Sequence, residues 1–383
     1  MGATRVWFVV DMPVSDRQLN RWTLARQHLV ERASLDATAA VEHLAGMQAQ
    51  YSPSPYIGLW SRLEGFERAD LEQALRDDRV VKTTAMRGTL HLLPSRRLAH
   101  YRIVSGSSYY ENTRARLREL GVDLEAIRAH VVSRVRQRPH TRREVSRLVA
   151  GALGITGEVP AWVAQRPTAV AAVAVTTDLV NLADDAAFGY FGGSRYRVAP
   201  NTPEVEPAEA FRYITAAYLA AYGPASKADL AQWSGNTVSA FAPALAALEV
   251  VSFRTEDGRT LVDLPDAPRP PPDVPVPVRF LPKWDSLLLA HARRERIVSE
   301  PYRKRVIAKN GDVAPTFLVD GMVAGTWEVT LRGPAVLTLT ALGRIPARPR
   351  RDVEAEGHRL LAWLRPEVES REVRWADARR AAP

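Results

Sequence analysis

The 383-residue chain has no cysteine, which excludes disulfides, thiol nucleophiles, iron–sulfur clusters and thiolate zinc sites together. Histidine and carboxylates remain as possible metal ligands. The eight histidines are scattered without HxH or HExxH spacing, so neither a metal nor any other cofactor is expected. No GxxxxGK[ST] sequence occurs, which argues against a phosphate-cradling nucleotide loop. No run approaches the ~18 apolar residues of a membrane span. The apolar stretch Val6–Val10 is too short for a secretion signal and runs into Asp11, so the chain is expected to stay in the cytoplasm. Lysine is also scarce. Only Lys82, Lys227, Lys283, Lys304 and Lys309 stand among 52 basic residues, a bias that with abundant Ala and Pro suggests a GC-rich genome and weakens any claim that each Arg was chosen for bidentate phosphate binding.

What is present is positive charge. The formal net charge is +9 and the pI about 10.0, which favours a polyanionic partner. The most informative local feature is Gln48-Ala49-Gln50. Ala37, Ala40, Val41, Leu44 and Met47 fall at helical spacing, which predicts a helix over 37–47 that delivers Gln48 at its C-terminal end. Pro53 and Pro55 are expected to stop it. Where the helix unwinds, both amides can converge on one small volume. An amide neither takes nor gives a proton near neutral pH, so the pair can position a water or a substrate polar group but is no strong base.

The chain divides into segments with one recurring outline, two or three helices followed by two short strands, which is the pattern of a winged helix-turn-helix. The first unit spans 14–94, with helices near 16–33, 37–47 and 69–77 and strands at 80–85 and 89–93 turned by Gly88. The second spans 95–200, with helices at 95–120, 124–137 and 162–175, a further helix opened by the capping box Thr141/Glu144, and strands at 178–182 and 190–198. The third spans 205–264, with helices at 207–221, 227–233 and 238–248 and a hairpin around Asp257-Gly258. Residues 265–279 form a Pro-rich linker. Residues 280–383 are predicted to form a small β-barrel or curled sheet, with strands at 305–308, 316–319, 322–328 and 335–342 and a packing helix at 353–364. The fold class is therefore α+β, mainly α: three tandem winged helix-turn-helix units and a small C-terminal β-barrel. Residues before Val14 match nothing in this pattern and are expected to be a disordered extension.

Several ordered blocks give the motif its context: Arg21–Gln27 (RWTLARQ), Pro55-Tyr56, Leu59-Trp60-Ser61-Arg62, Met86–Leu93 (MRGTLHLL), Phe280–Ile297 (FLPKWDSLLLAHARRERI) and Phe317–Trp327 (FLVDGMVAGTW). With Gln48-Ala49-Gln50, read as Gln-aliphatic-Gln, they resemble the winged-helix DNA glycosylases of the AlkZ-like type over nearly the whole chain. The resemblance implies a monofunctional DNA glycosylase, with Gln48 and Gln50 catalytic, acting on double-stranded DNA that carries alkylated purines. Cationic N7-alkylguanine is the expected lesion, and bulky natural-product adducts or interstrand crosslinks could serve, in repair or self-resistance.

Candidate DNA contacts follow from charge and position. Arg87, Thr89 and His91 alternate along one predicted strand and so share a face. Arg195, Tyr196 and Arg197 follow the flexible tip Gly192-Gly193, as in a groove-reaching hairpin. Arg294 and Arg296 are phosphate candidates, while Arg293 stands where the resembled family often has the Asp of an Asp-Arg pair. Asp285 with His291 could form an acid–base dyad, or His291 could be a satisfied core residue. Tyr56 and Trp60 could stack on a base, with core packing the better reading for Trp60. The alternative function is a non-catalytic winged-helix regulator, which would use the same charge and repeats but has no need of paired amides. A carbohydrate glycosidase is disfavoured, because no acid pair stands out.

Overall fold

A computed structural model describes residues 6–8, 13–106, 111–154, 178–330 and 333–376. The chain is α+β, with three three-stranded sheets and one five-stranded sheet among helices. Local signals account for many of the boundaries. Ser15, Thr141 and Ser226 each cap a helix through a reciprocal bond with the third helical residue, Gln18, Glu144 and Asp229 respectively. The Asp257-Gly258 hairpin joins strands Val250–Arg254 and Thr260–Asp263, with Gly258 at φ +80°. The predicted helix over 162–175 lies outside the described residues.

Each small sheet follows a group of helices. The first has the order Met47–Gln48, Leu90–Pro94, Val80–Thr84; the second His140–Thr141, Arg195–Val198, Leu179–Asn181. The third contains a strand that was not anticipated. Val6–Phe8 pairs in parallel with Val250–Ser252, so part of the expected disordered extension is an edge strand. The segment between Asp263 and Arg279 has no helix or strand, as its prolines require, yet it is fastened: Trp22 Nε1 donates to the Pro270 carbonyl at 3.0 Å and Arg17 Nε to that of Pro272 at 2.9 Å.

The C-terminal strands run Arg279–Leu281, Thr316–Val319, Met322–Val329, Ala335–Ala341, Arg371–Trp375. The first and last of these do not pair with each other, so the expected barrel is an open sheet. Helix Ala347–Leu364 backs it, with Val353, Leu360 and Leu361 packed among Phe280, Phe317 and Leu337. Of residues 305–308, expected as a strand, Arg305 and Val306 end helix Glu300–Val306, where Pro301 sits in the first turn and presets the helical backbone, and Ile307 makes an isolated antiparallel bridge with Val313.

Two corrections bear on the Gln motif. The helix beginning at Ala37 ends at His43 rather than Met47. Ala45 and Gly46 both have positive φ, 53° and 84°, and reverse the chain into strand Met47–Gln48. A Cβ on Gly46 would lie 2.8 Å from Leu93, so both the turn and the close approach call for glycine. Pro53 and Pro55 do not stop a helix; they open the next one, Pro53–Arg62, in the first turn where a missing N–H costs nothing.

That second helix anchors the motif to the far end of the chain. Met47, Ala49, Tyr56, Ile57 and Leu59 belong to one apolar cluster with Phe280, Phe317 and Trp327. Ser61 Oγ donates to the Phe280 carbonyl, Ser54 Oγ to that of Lys283 at 2.7 Å, and Arg62 meets Asp285 through two bonds of 2.8 and 2.9 Å. Arg62 and Asp285 are both buried. Such a pair adds little net stability over an apolar substitute, but removing one partner strands a buried charge.

Candidate active site

The two glutamines lie on an extended segment, not a helix end. Met47 and Gln48 pair with Leu92 and His91, and Ala49 N–H donates to the Leu90 carbonyl at 2.7 Å. Along extended backbone alternate residues share a face. Ala49 therefore goes to the core while Gln48 and Gln50 go to the other side, and Ala49 is buried. The expected approach of both amides at an unwinding helix end gives way to a different arrangement: Gln48 ends a short strand, and Gln50 follows in the bend beyond it. Gln48 is nearly buried and its Oε1 accepts from Arg87 Nη2 at 3.0 Å. Gln50 is exposed, and its Oε1 accepts from the Leu90 N–H at 3.3 Å.

Arg87 is therefore not a strand residue facing DNA. It sits in the tight turn Met86–Gly88 at φ +55°, with its guanidinium folded inward between Gln48 and the Trp233 carbonyl. Burial lowers it to about 10, which leaves it cationic at neutral pH. The structure thus clamps Gln48 through a charge-assisted hydrogen bond, the stronger class of such bonds. Thr89 Oγ1 donates back to the Met86 carbonyl. His91 is buried with Nδ1 2.9 Å from the Thr89 carbonyl, and desolvation, aided by Arg87, pulls it down to about 3. A neutral, buried imidazole offers no phosphate contact, so this expected basic face is a structural support for the glutamines.

Gln50 lines a cavity of about 550 Å³ together with Tyr51, Ser52, Lys82, Arg142 and Arg143 on its walls and the loop Tyr190–Ser194 across from them. Phe191, 53% exposed, brings its ring 5.9 Å from that of Tyr51. Arg142 and Arg143 are exposed and have no ion-pair partner among the described residues. Lys82 was counted among the five lysines of the sequence but given no role. Its residue is buried, and its ammonium makes two long bonds, 3.3 Å to Ser52 Oγ and 3.4 Å to the Asp185 carbonyl. Desolvation lowers it to about 8 although Asp185 pulls the other way. The signal was available: Lys82 alternates with Val80 and Thr84 in a strand whose apolar residues are buried, and a lysine on such a face is uncommon.

The remaining expected DNA contacts are held internally. Arg195 binds Asp185 through Nη2 at 2.6 Å and its own N–H at 2.6 Å, and Arg197 pairs with Asp78. Tyr196 packs half-buried beside the Val131 and Val135 cluster. Arg294 Nε donates to the Leu288 carbonyl at 2.9 Å. Arg296 is buried, donating to the Pro224 carbonyl at 3.0 Å and facing Thr23. Arg296 is thus a core residue, and the phosphate role expected for it does not fit its burial. Asp285 serves Arg62 and caps the short helix Ser286–Leu289. His291, held neutral by burial and bonded to the Tyr222 carbonyl at 2.9 Å, forms no dyad with it. Tyr56 is fully buried with its hydroxyl on the Ala186 carbonyl, and Trp60 packs 6.1 Å from Trp363. Among the described residues no cluster of three or more potential metal ligands occurs, and no helix is long and apolar enough to cross a membrane.

Residues 41–363 match the family model for DNA glycosylase AlkZ-like proteins. A curated relative, an interstrand DNA cross-link repair glycosylase from Streptomyces sahachiroi, is 27% identical over 372 residues, covering 88% of this chain and 94% of that protein. The solved structure of Streptomyces sahachiroi DNA glycosylase AlkZ superposes with a TM-score of 0.73 at 22% identity, over 95% of this chain and all of that one.

Proposed function

Because the chain belongs to the AlkZ-like DNA glycosylase family, we propose that it hydrolyses the N-glycosidic bond of alkylated purines in duplex DNA with a water held by Gln50 and Gln48. The observation that carries this reading is the pairing of a fixed amide with an accessible one: Arg87 immobilises Gln48, while Gln50 lies two residues away on the wall of a nucleotide-sized cavity. Preorganised polar groups aimed at the reacting centre are worth most when they need not rearrange. N7-alkylguanine carries a positive charge that makes it a good leaving group, so its departure needs no strong acid, and amide oxygens favour the cationic sugar that forms. A DNA-binding regulator would have no use for an arginine clamp on an amide beside such a cavity.

Tyr51 and Phe191 offer aromatic faces for an unstacked base. Arg142 and Arg143, exposed on the cavity wall, supply the phosphate contacts. The helix-and-sheet groups over 14–94, 95–200 and 205–264 are read as three winged helices that clamp the duplex as a monomer. The name of the curated relative extends the substrate class to interstrand crosslinks. Incubation with a duplex carrying one N7-methylguanine, followed by alkali, tests the proposal: strand breaks at the lesion support it, and an intact strand at saturating protein overturns it.

A further inference from the structure

Hydrolysis releases a proton from the attacking water, and neither glutamine can take it. The cavity that holds Gln50 also holds the groups that could. Tyr51 and Tyr190 are phenols kept protonated by burial, and Tyr190 is spent on the Gly193 carbonyl. Arg142 and Arg143 carry guanidinium groups, which have no lone pair to take a proton. Asp185 is filled by the guanidinium and backbone N–H of Arg195. His91, which opposes Thr83 on the neighbouring strand, is not among the residues that line the cavity, and burial holds it at about 3, too weak a base. Lys82 is different. Its amine reaches the cavity wall, is buried, and has no carboxylate within ion-pair range among the described residues, only the two long bonds to Ser52 and the Asp185 carbonyl.

We propose that Lys82 is the general base of the reaction, taking the proton from the water that Gln50 positions. The inference rests on the glutamine–water reading above. In the step, the C1′–N9 bond breaks with its electron pair passing to the base, which neutralises the N7 cation. The water oxygen bonds to C1′, and one water proton moves to the Lys82 Nζ. No co-reactant is needed. An ordinary lysine would be almost wholly protonated at neutral pH, but burial lowers Lys82 to about 8, so a useful fraction is neutral. Its neutral form also spares the developing sugar cation a like charge.

The test is the pH dependence of single-turnover excision of N7-methylguanine, from about pH 6 to about pH 9, at saturating enzyme. The wild-type rate should rise about tenfold per unit and level off near 8, because only the neutral amine acts. Lys82→Met, which keeps the buried stem, should be slower by at least about tenfold with a flat profile, while binding DNA within about threefold of wild type. In Lys82→Ala, added ethylamine should restore part of the rate. A flat wild-type profile, or a Lys82→Met enzyme that keeps the wild-type inflection, overturns the proposal. Gln50→Ala separates the two readings: a slow Gln50→Ala enzyme with a flat wild-type profile removes Lys82 and leaves the glutamines, whereas a Gln50→Ala enzyme at wild-type rate removes the glutamine–water reading itself.

Discussion

Replacing Arg87 by methionine removes the clamp on Gln48 while keeping most of the buried stem. The guanidinium donates to Gln48 Oε1 at 3.0 Å and to the Trp233 carbonyl. A hydrogen bond to a charged group contributes about 1.5–3 kcal/mol, and each 1.36 kcal/mol of lost transition-state contact is about a factor of ten in rate. Freed of its partner, Gln48 must be ordered during the reaction. Excision by Arg87→Met should therefore fall by about ten- to a hundredfold if the whole contact is used in the transition state. DNA affinity and its salt dependence should stay put, because the side chain points inward. Had the guanidinium met a phosphate, its removal would flatten the slope of log affinity against log salt by about 0.9. Single-turnover excision of N7-methylguanine, run beside fluorescence-anisotropy titrations over a salt series, reads both quantities on one protein. A slope reduced by about one unit with unchanged excision would refute the clamp.

Other outcomes follow from the same geometry. Gln48→Ala and Gln50→Ala should each slow excision by more than about tenfold while changing DNA affinity only a few fold, since one polar transition-state contact is worth roughly 2–4 kcal/mol; wild-type rates in both would end the proposed mechanism. N7-methylguanine should leave far faster than uracil or ethenoadenine, because Asp285, the acid that could have served, is bound by Arg62; comparable rates on the two classes would reveal an acid elsewhere. Burial holds His28 at about 4 and His91 at about 3, below the ordinary 6.5, and lowers His291 as well. The unfolded chain binds these protons first, so their contribution is whole above about 6.5 and is lost as pH falls towards 3. Thermal melts from pH 8 down to about 4 should show a falling Tm below about 6.5, smaller in His91→Asn, and a Tm independent of pH across that range would contradict the burial.

Much of the fold could be read from short-range chemistry. The capping box at Thr141 and the turn at Asp257-Gly258 are decided within a few residues, and the structure keeps both. The end of the helix after His43 could not be read the same way. Leu44 and Met47 continue the helical spacing and are both buried, yet the positive φ of Ala45 and Gly46 sends the chain into a strand. Two periodicities then bury the same residues. The prolines at 53 and 55 were ambiguous for a related reason, because proline is refused inside a helix but welcomed in its first turn. At the candidate site, Gln48 and Gln50 were singled out through the family resemblance, since Gln-x-Gln spacing alone carries little. Arg87 and Arg296 turn inward where outward contacts were expected, and the role of Asp285 stayed open, since nothing in a sequence states whether a long charged side chain turns to solvent or to a carbonyl or partner distant in the chain. The open C-terminal sheet was missed because closure depends on whether the outer strands meet, a non-local fact.

The hydrogen bond from Ser61 to the Phe280 carbonyl joins residues 219 positions apart. During synthesis the strand bearing Gln48 and Gln50 leaves the ribosome early, long before the phenylalanines and tryptophan that will cover its back. Ordering a segment whose support is so distant carries a loop-closure cost that no nearby contact offsets until those residues arrive. The segment carrying the two amides is thus expected to order only after the C-terminal sheet has been made. A cut in the Pro-rich stretch would part Met47 and Ala49 from Phe280, Phe317 and Trp327, which share their apolar cluster.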